Sequence, residues 1–339
     1  MLSLKNLLKG RIILKVLIIK LSSMGDLMHA LPAITEAKNK IKDITIDWVV
    51  DKNFKSVPEW HPAVNQTIQT NHREWKINIL SNNSRKEIRK VINTINSGDY
   101  DVIIDMQNNL KSAFLSFLIK KQVTGLDAKS SREFPSHLAY KKKFNISKTL
   151  HAIDRQKELL AKALDYETDK SSINYGITKE KFCRPHFDLP QNYVVCVQNA
   201  SWKTKQWSID NWKKLLIGLK SHNLNFLFPS GNYQEYERAS EICSNSDNAI
   251  AMDILPLDTI AYILDRADFA ICSDTGLAHL SAVTGTKSLT LYGPTKTSLI
   301  GTMGENQSHL IGKDSDINNI SVKEVISTLK ELTFIKANN

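Results

Sequence analysis

Lys15 to Leu21 reads Lys-Val-Leu-Ile-Ile-Lys-Leu, a short apolar, β-branched run of the kind a parallel sheet buries on both faces. A polar turn with one glycine follows, Ser22-Ser23-Met24-Gly25-Asp26, and then Leu27, Ala30, Leu31, Ile34 and Ala37 recur at helical spacing. The alternation continues with a strand at Ile44 to Val50, a helix over Ser84 to Asn96, a strand at Val102 to Asp105 and a helix from Leu110 to Lys120. From Thr124 to Asn145 the pattern dissolves into Gly, Asp, Ser, Arg and Pro, before a helix from His151 to Leu164. The cycle restarts with strands at Tyr193 to Val197, Asn225 to Phe228, Ala249 to Met252, Phe269 to Ser273 and Ser288 to Tyr292. Helices fill the gaps, led by Ile209 to Lys220 and Thr275 to Val283, and a last helix over Val322 to Leu332 has the apolar spacing to pack across a domain face. Repeated βα units mean an α/β protein with parallel sheets, here two doubly wound Rossmann-like domains.

Length agrees with two domains, since 339 residues is about two units of 150. The expected division is an N-terminal arm over 1–14, a first domain over 15–165, a polar linker over 166–190 carrying Pro185 and Pro190, a second domain over 191–321, and a C-terminal helix and tail over 322–339. With 42% apolar and 24% charged residues the chain is not intrinsically disordered. Cys183, Cys196, Cys243 and Cys272 are too few and scattered for a disulfide framework or a zinc site, so a reducing compartment is the default. Lys15 and Lys20 interrupt the best N-terminal apolar stretch, so we expect neither a membrane span nor export.

Charge divides the halves. Residues 1–170 hold 29 Lys and Arg against 18 Asp and Glu, a balance of +11, whereas the remainder holds 16 against 17. A basic half joined to a neutral half points to one domain meeting an anionic surface, or to a basic face kept for solubility. No zinc-finger spacing, RNP-type aromatic motif or basic zipper is present, so nucleic acid is not the expected partner.

In doubly wound sheets ligands bind beyond the carboxyl ends of the strands, at the switch point. In the second half that place is Ser273-Asp274-Thr275-Gly276-Leu277-Ala278-His279: Asp274 is the expected helix cap, and Thr275 and Gly276 offer backbone N–H groups to an anion. His279 falls on the same helix face as Thr275, one turn on. The same turn also reads as a capped helix with a buried histidine. Gln198 to Lys205 supplies Ser201 and Lys205, and Glu235, early in the helix after Phe228-Pro229-Ser230-Gly231, is placed to accept hydrogen bonds from a ribose. In the first half Asp26 opens a helix, either as a cap or as a general base kept ionised by the helix dipole. Asp99-Tyr100-Asp101 and Asp314-Ser315-Asp316 have the Asp-x-Asp form of metal-dependent transferases, but the first lies at the amino end of a strand and the second near the C-terminus, and neither is read as a metal site.

Lys20-Leu21-Ser22-Ser23-Met24-Gly25-Asp26-Leu27-Met28-His29-Ala30-Leu31-Pro32 resembles the N-terminal motif of the bacterial lipopolysaccharide heptosyltransferase I family, in glycosyltransferase family 9. Asp274-Thr275-Gly276-Leu277-Ala278-His279-Leu280, followed by Tyr292-Gly293-Pro294-Thr295, resembles that family's nucleotide-sugar motif. Asp47-Trp48-Val49-Val50, Asp105-Met106-Gln107 with Lys111-Ser112-Ala113, Arg132-Glu133, and His151-Ala152-Ile153-Asp154-Arg155 agree as well.

The resemblance implies a GT-B fold, two Rossmann-like domains facing a central cleft, and transfer of L-glycero-D-manno-heptose with inversion from ADP-heptose to the inner Kdo of Kdo2-lipid A. It makes Asp26 the catalytic base. It assigns the donor to Ala200, Ser201, Lys205, Glu235, Leu255, Asp274, Thr275, Gly276 and His279, with no metal or other cofactor. Ala200-Ser201 stands where the family has consecutive threonines, and Leu255 where it has a methionine. For the acceptor's carboxylates and phosphates the candidates are Ser23, Arg73, Trp75, Lys76, Gln107, Lys111 and Arg132, with Trp75 resting on a sugar face or at the membrane surface. The implied location is the cytoplasmic face of the inner membrane, in peripheral contact with anionic lipid. Lys5, Lys9 and Arg11 make the arm either an added membrane attraction or a disordered leader. The competing readings are a related transferase with another core acceptor, a silent sugar-nucleotide binder and a basic nucleic-acid-binding protein.

Overall fold

The apolar runs become strands because each can be covered on both faces. In the computed structural model, which describes residues 13–78, 81–169 and 173–335, the chain divides into two compact units between Thr178 and Lys179. Lys5, Lys9 and Arg11 of the N-terminal arm lie outside the described residues.

The first unit runs β1 (Leu14–Ile19), α1 (Met24–Met28), α2 (Leu31–Lys40), β2 (Ile44–Asp51), β3 (Val64–Thr70), α3 (His72–Ile77), α4 (Asn82–Ser97), β4 (Val102–Asp105), α5 (Leu110–Leu118), β5 (Val123–Leu126), β6 (Lys142–Phe144) and α6 (Ala152–Leu164). Its strands are all parallel, in the order β3-β2-β1-β4-β5-β6. The second unit runs β7 (Tyr193–Val197), α7 (Ile209–Leu219), β8 (Asn225–Ser230), α8 (Tyr233–Cys243), β9 (Ala249–Ile254), α9 (Leu257–Asp265), β10 (Phe269–Ser273), α10 (Gly276–Thr284), β11 (Ser288–Tyr292), β12 (Gln307–Ile311) and α11 (Val322–Glu331). Its order is β12-β11-β10-β7-β8-β9, again parallel throughout. In both sheets the first and fourth strands are neighbours and the chain reverses direction across them, so each unit has one switch point.

Two features differ from the pattern of apolar spacing. The helix expected across Leu27 to Ala37 is two helices, broken at His29-Ala30 with Pro32 in the first turn of the second. The stretch from Thr124 to Asn145 contains β5 and β6; Gly125 there is a packing residue, because a Cβ would meet the Tyr140 ring at 2.5 Å. As the spacing predicts, the C-terminal helix packs across a domain face, on α7 within its own unit, where Gly218 lets Ile326 come close, as a Cβ would lie 2.6 Å from its Cδ1. The core of the second unit holds Trp207, Trp212 and Phe228 in edge-to-face contacts, and that of the first includes Leu17, Ile19, Val49 and Leu115.

Candidate active site

Each switch point carries a charged constellation. In the first unit β1 ends at Ile19, and the loop beyond it is held by the loop after β4: the Gln107 side-chain carbonyl accepts the N–H groups of Leu21 and Ser22 at 3.0 and 3.1 Å. Gln107 is itself set by Asp105, whose Oδ1 accepts the N–H groups of Gln107 and Asn108 while Oδ2 accepts from Tyr140 and Ser116. Burial raises the pKa of Asp105, and the hydrogen bonds from Asn108, Ser112, Tyr140 and Gln107 work against that rise. Gln107, expected to touch the acceptor, is thus buried with its carbonyl committed to the backbone.

Asp26 lies in the first turn of α1, half-buried. Its Oδ2 accepts from Ser23 N at 3.0 Å and Ser23 Oγ at 3.1 Å, and meets Arg132 Nη1 at 3.2 Å. Burial alone would push its pKa up. Buried Lys20, Arg132 and the Ser23 N–H together outweigh that and hold the carboxyl at about 2. Lys20, whose Nζ donates to Met106 O at 3.0 Å, is lowered by burial to about 8, with Asp26 opposing the shift. Lys20 carries no functional assignment on sequence grounds, since it looks like the end of an apolar strand; in the structure it lies just beyond β1, between buried Ile19 and Leu21. Arg132 is positioned by its backbone N–H on Asn108 O, while its side chain is exposed.

Arg73 and Lys76 are exposed on α3, and Lys111 is exposed in the first turn of α5. His72 links them, facing Asp51 and Lys111; burial, with Lys111 adding to it, lowers the His72 pKa to about 4. Trp75 corrects the expectation of a surface aromatic. It belongs to the core, 4% exposed, its ring tilted against that of His72 at 4.8 Å and its Nε1 donating to Glu87 Oε2 at 2.8 Å, because its position on a one-and-a-half-turn helix faces inward.

In the second unit the expected donor residues lie beyond the carboxyl ends of the strands: Ala200, Ser201 and Lys205 after β7, Leu255 after β9, Asp274 and Thr275 after β10, Glu235 in the first turn of α8, and Gly276 and His279 on α10. Across the switch point Lys205 Nζ pairs with Asp274 Oδ2 at 2.8 Å, and Thr295 Oγ1 donates to the same oxygen. This corrects the capping role given to Asp274: the N-cap of α10 is Thr275, no side chain caps its first turn, and the Asp274 carboxylate is drawn instead to Lys205 and Thr295. The first-turn amides of α10 therefore keep their dipole end open to an anion. His279 is buried one turn further along. Gly293 is required where three backbones meet, as a Cβ would lie 2.9 Å from Ile317 N and 3.1 Å from Thr204 O. Glu235 Oε2 accepts from Gly231 N at 2.8 Å, Ala200 O accepts from Gln206, Ser201 is exposed, and Leu255 is half-buried beyond β9.

Four polar groups that spacing did not single out lie on the same edge. Gln198 Oε1, Asn199 Nδ2, Ser230 Oγ and Ser273 Oγ are buried without a hydrogen-bond partner, at the ends of the adjacent strands β8, β7 and β10. Each such group costs about 1–3 kcal/mol unless a polar ligand or ordered water completes it. Among the described residues no three His, Cys, Asp or Glu side chains cluster as metal ligands, Asp101 Oδ2 accepts Lys15 N, and Asp99 pairs with Lys121. No helix among them is long and apolar enough to cross a membrane.

Tandem Rossmann-like units, with an ionised carboxylate at one switch point and a lysine beside an open helix N-terminus at the other, define a glycosyltransferase of the GT-B class. The profile of glycosyltransferase family 9 (heptosyltransferase) matches residues 88–326, and the chain belongs to that family. It is 35% identical over 298 residues to lipopolysaccharide heptosyltransferase 1 of Pseudomonas aeruginosa, covering 88% of this chain and 83% of that protein. To the same-named protein of Escherichia coli K12 it is 32% identical, covering 94% and 100%. Its fold is similar to that of E. coli heptosyltransferase WaaC solved with ADP, at TM-score 0.88 and 32% identity over 94% of this chain and 100% of the other.

Proposed function

We propose that this glycosyltransferase moves L-glycero-D-manno-heptose from ADP-heptose to the inner Kdo of Kdo2-lipid A, with inversion at the anomeric carbon. The observation that carries the reading is Asp26: a carboxylate held ionised at a switch point by Lys20, Arg132 and its own helix turn. Asp26 takes the proton of the Kdo hydroxyl as that oxygen bonds to the heptose C1, and the bond from C1 to the diphosphate oxygen breaks to release ADP. A carboxyl at about 2 is a weak base at rest, and proton transfer favours a base nearer the working pH. The acceptor's own carboxylate supplies the change: Arg132, exposed and joined to Asp26 by one contact, turns to the incoming anion, and Asp26 becomes more basic as it loses that cation. Arg73, Lys76 and Lys111 are the further acceptor-docking cations, and Ser23 orients Asp26.

On the donor, Lys205 and the first-turn amides at Thr275 and Gly276 offset charge growing on the diphosphate, so no metal is required. Ser201, Ala200 and His279 line that end, Glu235 takes the ribose hydroxyls and Leu255 walls the adenine. The buried groups of Gln198, Asn199, Ser230 and Ser273 are additional donor contacts in this reading. The protein works in peripheral contact with the cytoplasmic face of the inner membrane. The test is ADP release from ADP-heptose with Kdo2-lipid A, or with a heptosylated core acceptor, in separate assays. Turnover with Kdo2-lipid A alone is expected. Turnover only with the heptosylated acceptor, or with neither, refutes the reading.

A further inference from the structure

The face of α5 turned away from the sheet is apolar. Leu110, Phe114, Phe117 and Leu118 fall at spacings of four, three and one, a single helical stripe, and are 50%, 43%, 78% and 37% exposed. The opposite face, Ser112, Ala113, Leu115 and Ser116, is buried on the sheet, with Ser116 Oγ donating to Asp105 Oδ2. The turn at Ser136–Ala139 packs against α5 and extends the stripe, with Phe134 79% and Leu138 69% exposed. Six large apolar side chains in solvent on two touching elements are more than isolated surface hydrophobes, and mark an interaction surface.

Its rim is cationic. Lys111 and Lys120 bracket the stripe on α5, and Lys141, Lys142 and Lys143 are exposed on and beside the edge strand β6. The one acidic residue on the 132–139 segment, Glu133, is occupied by the Leu110 N–H at 2.9 Å. Leu110 and Glu133 adjoin Arg132, which pairs with Asp26, so the stripe begins beside the candidate base.

We infer that α5 and the 132–139 turn form a docking surface for a bilayer bearing anionic lipid, Phe117 and Phe134 entering the interfacial region while the surrounding lysines meet the headgroups. An apolar face with a basic rim is the composition that lies in the plane of such an interface. A second copy of the chain is a poorer occupant, since a self-complementary contact would set the lysine rims against each other. The inference rests on the reading of the acceptor as a lipid with a sugar headgroup: a bilayer held at the stripe presents that headgroup next to Asp26.

The test uses the full-length chain, with neither donor nor acceptor, floated with vesicles of phosphatidylethanolamine and phosphatidylglycerol or of phosphatidylcholine alone. Binding to the anionic vesicles is expected, at least about tenfold stronger than to the zwitterionic ones and weakened by salt. Phe117→Ser with Phe134→Ser should reduce it about tenfold or more, with the circular dichroism spectrum and the monomer–dimer state unchanged. Lys142→Glu with Lys143→Glu should reduce it and flatten its salt dependence. The aromatic variant should lose transfer to Kdo2-lipid A in vesicles while retaining transfer to a deacylated, water-soluble Kdo acceptor. Wild-type protein that stays unbound, aromatic variants that float like wild type, or variants that change only the oligomeric state would each overturn the inference. Vesicle binding that depends on Phe117 and Phe134, with Kdo2-lipid A inert as acceptor, would sink the proposed reaction and leave the docking surface standing.

Discussion

At the scale of single residues the chemistry depends on how a half-buried carboxyl stays ionised. Burial works against the charge on Asp26, and the cation that compensates most is Lys20, buried just beyond β1 and itself lowered to about 8. With Asp26 at about 2 and acting as the proposed base, the acid limb of kcat/KM for the wild type should lie well below neutrality. Lys20→Met removes the compensation and leaves the burial penalty, so the Asp26 pKa rises and the base is lost at a higher pH. The limb should move upward by about 1–3 units in a pH–rate profile, and a limb that stays in place would refute Lys20 as the support of Asp26. On the donor side, Lys205→Ala leaves Asp274 with Thr295 alone. Calorimetry should then show weaker ADP binding, by about tenfold or more, and unchanged affinity would remove Lys205 from the phosphate site. The placement of Asp26 and Lys205 beyond strand ends is legible because a carboxylate and a lysine stand in turns after apolar runs. That of Lys20 is not, because nothing in the linear pattern distinguishes a lysine that breaks an apolar strand from one buried under a carboxylate.

Among the elements, the central strands were legible where β-branched runs were flanked by turns, and β4, β7, β10 and β11 have the expected bounds. The strands that went unread are β3, β5, β6 and β12. β3 and β12 are edges with polar, solvent-facing positions, and β6 is three residues long with two exposed lysines. β5 is buried but carries Gly125, whose missing side chain makes room for Tyr140 and so imitates a turn signal. Trp75 shows the same limit in a side chain: among Arg73, Glu74 and Lys76 it read as surface, yet tertiary packing turns it into the core. Trp75→Ala should therefore destabilise the fold by about 3–5 kcal/mol in urea unfolding. A large rise in acceptor KM with stability unchanged would restore its surface role. Gly293→Ala tests the meeting of loops near Lys205. It should weaken donor binding by displacing the backbone at Thr204, and wild-type ADP affinity would show that this approach does not position the lysine.

Across the whole molecule, two units with the same strand order place different groups at equivalent switch points: the Asp26 carboxylate in the basic unit, and Lys205 beside an open helix N-terminus in the neutral one. The charge split legible in the sequence has a structural counterpart in exposed Arg73, Lys76, Lys111 and Arg132 on one unit. What remained illegible is satisfaction of buried polar groups. Which polar atoms of Gln198, Asn199, Ser230 and Ser273 are left unpaired depends on three strands coming side by side, information absent from any single loop. Because lysine and backbone amides carry the charge on the leaving group in this account, EDTA should leave turnover unchanged, and a strict requirement for an added divalent ion would contradict it.

The most direct measurement is steady-state turnover of Asp26→Asn beside its affinity for ADP-heptose. Asparagine keeps the shape of the side chain and cannot take the proton, so kcat should fall at least about 100-fold while the donor dissociation constant stays within about threefold of wild type. Turnover near the wild-type rate would contradict the account of Asp26 as the base.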